Sequence, residues 1–194
     1  MISAMTVSRD AAWALLTEWT QSDSLRKHAL AVEAAVRGYA RQQAANEEEW
    51  GVVALLHDFD YERYPTLGDH PNKGCDHLRA LGYPEWVMRA IQAHAWEITG
   101  VQPETALERT LVACDEMAGF VTAAALVRPS RSVLDLEPAS VLKRMRDKAF
   151  ARAVSRDDLR RGAEELNLAL ETHVANVIAF IRDEADALGL RGTL

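Results

Sequence analysis

A chain of 194 residues with 48% hydrophobic and 26% charged content has the balance of a soluble globular protein, and it can bury a core without staples. Its formal net charge of -7 argues against a general nucleic-acid binder, which needs a basic face, and its longest uncharged apolar stretch, Met117 to Val127, is too short to span a bilayer. Two cysteines, Cys75 and Cys114, are too few for a disulfide framework and lack a CxxC partner, so they read as small packed residues in a reducing cytoplasm.

Glycine and proline are sparse, and Ala, Leu, Glu and Arg dominate, so the expectation is an all-α fold in a single domain over residues 1–194. The first ten residues lack the basic start and apolar core of a signal peptide. Ser8 to Thr20 reads as a short helix burying Trp13, Leu16 and Trp19. Ser22 or Asp23 caps a longer helix in which Leu25, His28, Val32, Ala35 and Tyr39 form an apolar stripe. A histidine on that stripe is either a hydrogen-bonded core residue or an inward-facing ligand.

Asn46 and Glu49 resemble a capping box, and the helix they open ends at His57-Asp58, with a further acid at Asp60. Alone, this dipeptide is explained by a polar helix end in water. It is also a donor set that a divalent transition metal accepts, since ligand atoms need only converge on one point. A loop from Asp60 to Asp69 follows. His70-Pro71 then opens a helix that Gly82 stops, with Pro at the favoured first position and His77 exposed. Pro84 starts the next helix, where Val87, Ile91 and His94 share a face.

From Thr105 to Val127 a longer helix carries Leu107, Leu111, Asp115 and Ala118 on one side. An acid on an apolar stripe needs a partner, either a buried Arg or a metal. Arg128 to Pro138 is the one candidate linker. A helix from Ser140 to Val154 bears Lys143, Arg144, Arg146, Lys148 and Arg152, either as a solvated basic face or as a source of phosphate-binding cations. Ser155 caps another helix to about Leu166. A final one runs to Leu188 with Leu170, Val174, Val177 and Ile181 as its stripe and His173 beside it as a structural residue. Leu190 to Leu194 reads as a frayed end.

His28, His57, Asp58, His70, His94 and Asp115 thus lie at helix ends or on apolar faces of successive helices. Their order, His28, then His57-Asp58, then Asp115, resembles the HD superfamily of metal-dependent phosphohydrolases. His70-Pro71-Asn72-Lys73-Gly74 and Ala90-Ile91-Gln92-Ala93-His94 are similar to the two extra histidine segments of its binuclear branch. The resemblance covers about residues 22–127, and the helices over about 138–189 look like the C-terminal extension of short bacterial members. Gly82-Tyr83-Pro84 spells GYP but precedes His94, so the HD-GYP pattern and cyclic-dinucleotide cleavage are not implied.

The resemblance implies an HD-type helical bundle in which His28, His57, Asp58 and Asp115 hold one ion. Asp58 bridges to a second completed by His70 and His94, which otherwise contact substrate. One or two divalent ions are expected, with iron, manganese, zinc, magnesium, nickel and cobalt all compatible. The implied reaction is hydrolysis of a phosphate ester of a small metabolite or nucleotide, with Asp58 catalytic. Lys73, Arg144, Lys148 and Arg152 are candidate phosphate contacts, and Lys148 is preferred because Met145 and Phe150 can hold its face against the core. HExxH and a glycine-rich phosphate loop are absent. A di-iron oxygenase using the same ligands and a non-catalytic nucleotide-binding module are the alternatives. The oligomeric state is left open.

Overall fold

A computed structural model describes residues 7–66 and 68–193, so the first six residues of the signal-peptide reading and Leu67 and Leu194 lie outside the described residues. The fold is all-α: eleven helices and no strand among the described residues. None of those helices is long and apolar enough to cross a membrane.

Two helices form the centre. α2 (Asp23–Gln42) is capped by the Ser22 hydroxyl and buries Ala29, Val32, Ala35, Val36 and Tyr39. α7 (Ala106–Leu126) buries residues all round, including Leu111, Cys114, Met117, Phe120 and Val121, because it has neighbours on several sides. A Thr105–Glu108 capping box, which the sequence reading passed over, starts it. α1 (Arg9–Trp19) lies on α3 (Glu47–Leu56), and α3 lies on α2. α4 (Asn72–Ala80) packs on α5 (Glu85–His94), which packs on α7. A short α6 (Trp96–Thr99) ends at left-handed Gly100.

α8 (Pro138–Met145), α9 (Arg156–Glu165) and α10 (Leu170–Asp183) close the other side of α7, and α11 (Ala185–Leu188) touches α2. Gly162 lets α9 approach, since a Cβ there would sit 2.8 Å from Ala113 Cα. His173 is a core residue, as expected: it lies 2.7 Å from the Tyr39 hydroxyl and its Nε2 donates to the Ala113 carbonyl at 2.9 Å.

Several expectations need correction. α4 begins at Asn72, one residue past Pro71. His77 is half-buried, its ring 4.5 Å from that of Trp19. Residues 128–138 are no linker, because Ser132, Val133 and Leu136 are buried and Arg182 donates to the Val133 and Leu136 carbonyls. The basic helix stops at Met145 instead of running to Val154. Beyond it the Arg156 guanidinium collects the carbonyls of Asp147, Phe150, Ala151 and Val154, which substitutes for helical hydrogen bonding. The last helix breaks at Glu184. The C-terminal residues are docked rather than frayed: Leu190 is buried and accepts from Val133 N at 2.9 Å, and Thr193 N donates to Ser130 O.

Candidate metal centre

The pivot is the turn that leaves α3. Residues 52–56 are fully buried, so the helix enters the core and delivers its C-cap, His57, into the interior. Phe59 is locked beneath Trp19 with ring centroids 5.0 Å apart, and its carbonyl accepts from the buried Thr20 hydroxyl. That anchorage fixes Asp58 and Asp60 on either side of it.

Five chain segments meet here. His57 Nδ1–H donates to the Ala54 carbonyl at 2.7 Å, which leaves the Nε2 lone pair directed inward. His70, just ahead of α4, points Nδ1 at Asp60 Oδ1, 2.7 Å away. His94, the last residue of α5, gives its Nδ1–H to the Ile91 carbonyl. Their Nε2 atoms therefore face a common space, the orientation a metal-ligating imidazole takes when its other nitrogen is held.

The Asp58 carboxylate divides between two histidine pairs. Oδ2 lies 3.4 Å from His57 Nε2 and 3.9 Å from His28 Nε2, while Oδ1 lies 3.3 Å from both His70 Nε2 and His94 Nε2. Two groups result, His28–His57–Asp58 and Asp58–His70–His94, each with ligand atoms within 4.8 Å of one another and each able to hold a metal ion. Asp115 Oδ1 joins the first, 3.0 Å from His28 Nε2 and 3.4 Å from His57 Nε2. Among the described residues Asp115 has no Arg partner, and its carboxylate faces His28 and His57.

The residues fit a cation. His57 Nε2 is fully buried and makes no hydrogen bond among the described residues, despite two carboxylates at 3.4 Å. A buried nitrogen aimed between two acids without bonding either is a costly arrangement unless a shared positive centre satisfies all three. Imidazole with carboxylate is a donor set for divalent first-row metals.

Without such an ion the charges lean on protons. Burial disfavours a charged His57, but Asp58 and Asp115 outweigh it and raise its pKa well above the ordinary histidine value. Burial likewise opposes ionisation of Asp58 and Asp115, yet the surrounding imidazoles hold both carboxyls well below the usual range. His70 is raised to about 9, its two carboxylates overcoming its burial. For Glu116 the balance goes the other way: burial, then the Asp115 charge, outweigh His28 and lift it to about 7. Burial pushes the Cys75 thiol to about 12 and raises Cys114 as well, so neither is a ready nucleophile.

All six predicted ligands come together. The four predicted phosphate contacts lie at the surface. Lys73, Lys148 and Arg152 are exposed, and Arg144 lies over the Phe150 ring and lines a separate groove with Lys143 and Arg128. At the mouth of the cluster is instead a cleft of about 160 Å³ with His94, Asp115, Glu116, Trp96 and Arg161 in its walls. Arg161 stacks on Trp96 at 4.8 Å and pairs with Asp158 at 2.8 Å.

Asp60, Glu116 and Arg161 were missed. Asp60 carries a local signal, an acid two residues beyond the His-Asp pair. Arg161 carries none, because it arrives from α9 through tertiary packing. Comparison with protein-family models, with curated proteins and with solved structures returns no match to this chain.

Proposed function

We propose that the chain is an HD-type metal-dependent phosphohydrolase, acting in the cytoplasm on a phosphate ester of a small metabolite or nucleotide. The observation that carries the reading is the split Asp58 carboxylate, one oxygen toward each histidine pair. His28, His57, Asp58 and Asp115 would hold one ion, and Asp58, His70 and His94 a second. Ions there supply Lewis acidity, which acidifies water and stabilises charge on phosphoryl oxygens.

The chain's own part is positioning. His57, His70 and His94 form a floor whose lone pairs are aimed by Ala54, Asp60 and Ile91. His28, Asp58 and Asp115 keep about a fifth of their side-chain surface open, at 23%, 22% and 20%, so substrate approaches over them. Glu116 lines the mouth beside His94 and Asp115, where its carboxyl is placed to exchange a proton with a leaving oxygen.

Metal analysis of freshly purified protein, followed by turnover of a phosphoester panel, tests the proposal. Bound divalent metal with hydrolysis that Asp58→Ala abolishes is the expected result. Metal-loaded protein that hydrolyses no phosphoester but consumes oxygen would assign the centre to oxygenase chemistry instead.

A further inference from the structure

Three of the four histidines have their outer nitrogen held by a carbonyl or carboxylate, and His28 does not. Among the described residues nothing accepts from His28 Nδ1. That nitrogen faces Gly119 on α7, where a Cβ would lie 3.7 Å away. Gly119 and His28 together wall a second pocket, of about 510 Å³, between α2, α7 and the C-terminal residues.

The pocket has the make-up of an organic-ligand site. Its volume is in the range that holds a small molecule, whereas the cleft of about 160 Å³ at the other side holds little beyond a phosphate-sized group. Ala123, Leu126, Leu188 and Leu190 give it an apolar body, and Leu126 remains 41% exposed there. The Thr122 hydroxyl in its wall is buried with no hydrogen-bond partner among the described residues. The Lys27 ammonium, beside Gly189, pairs with Asp23 at 2.8 Å, and Arg131 leaves the charged lining net positive.

We infer that this pocket receives the organic part of the substrate: an apolar group, neutral or negatively charged, that accepts hydrogen bonds from His28 Nδ1–H and the Thr122 hydroxyl while its phosphate lies on the metal cluster. The inference rests on the phosphohydrolase reading for the identity of the phosphate and on the pocket alone for the rest. It makes the substrate a phosphate ester with a sizeable organic body, not pyrophosphate or a bare phosphate chain.

Calorimetric titration of manganese-loaded protein with non-hydrolysable probes tests it. Benzylphosphonate binds wild-type protein at least about tenfold more tightly than inorganic phosphate, as burial of roughly 100 Å² of apolar surface allows. Ala123→Phe brings that ratio close to one, and Ala123→Val, a smaller intrusion, lowers it part-way should the phenylalanine variant fail to retain metal. A 4-carboxyl on the benzyl ring is bound more tightly than a 4-aminomethyl. Equal binding of phosphate and benzylphosphonate by wild type, a ratio unchanged by either substitution, or preference for the cationic probe overturns the inference. The two readings fail separately: a preserved ratio without turnover of any phosphoester removes the hydrolase, while turnover with a ratio of one removes the pocket's role.

Discussion

Replacing Asp60 with Asn changes one atom of a residue that no ion would touch, yet it should weaken metal binding at one group and spare the other. Asp60 is 1% exposed, and both of its oxygens are in use: Oδ1 faces His70 Nδ1 at 2.7 Å and Oδ2 accepts from Gly74 N at 2.8 Å. The amide of an Asp60→Asn variant has one acceptor for these two N–H groups. If its oxygen stays on Gly74, its NH2 faces His70 and favours the tautomer with the proton on Nε2. That proton blocks the lone pair directed at Asp58. If the oxygen turns to His70 instead, Gly74 N is left buried and unpaired, a loss of about 1–3 kcal/mol of stability. Loss of a carboxylate behind a ligating histidine weakens metal affinity about 10–100-fold, or about 1.4–2.7 kcal/mol. Chelator-competition titration should therefore resolve one ion released more readily and one held as in wild type. Wild-type affinity for both ions together with a wild-type melting temperature would refute the reasoning.

The remaining expectations follow from the same geometry. His70 is raised from 6.5 to about 9, so its protonated form stabilises the metal-free fold fully below about pH 6.5, and that stability is lost as pH rises through 9. Metal-free protein should lose up to about 3 kcal/mol over this range, seen as a falling melting temperature, while metal-loaded protein should not, because the ion replaces the proton. Glu116→Gln should remove a group titrating near pH 7 from the metal-free protein, read by carboxyl-resolved NMR titration, without changing metal content on reconstitution. His173→Ala should destabilise by about 2–4 kcal/mol, by cavity formation and by removing the acceptor of the Tyr39 O–H, yet leave metal stoichiometry intact in the folded fraction, which calorimetry and elemental analysis separate. Gly74→Ala should mimic Asp60→Asn, since a Cβ there would lie 2.8 Å from the Asp60 carboxylate.

What could be read from the sequence was local or periodic. Ser8, Ser22, Asn46, Thr105 and Ser155 each precede a helix that the structure contains, and in each case the side chain accepts from the first turn. His28, His94 and Asp115 announced themselves as polar residues on apolar stripes, and His57 and His70 as polar residues at helix ends. What was illegible depends on distant partners. The basic stretch after Met145 has good helix formers, but Arg156 captures its carbonyls from outside and the helix does not form. Residues 128–138 have the prolines and serines of a linker, yet Val133 and Leu136 find a hydrophobic bed beneath α10. The cations follow the same rule: sequence shows that they exist, and only packing decides that Arg161 lines the cleft beside His94 and Asp115 while Lys148 faces water.

The placement of donors explains why so many polar groups can be tolerated in one core. Four come from places where the backbone is leaving a helix or about to enter one: His57, Asp58, His70 and His94. There the carbonyls of Ala54 and Ile91 are free of helical partners and can hold an imidazole. The two mid-helix donors, His28 and Asp115, lack such carbonyls and instead face each other across α2 and α7 at 3.0 Å. The cluster is thus oriented from behind at helix ends and only from in front on the helices. That asymmetry makes His28, with its outer nitrogen free, the one histidine whose orientation can still respond to what lies beside it.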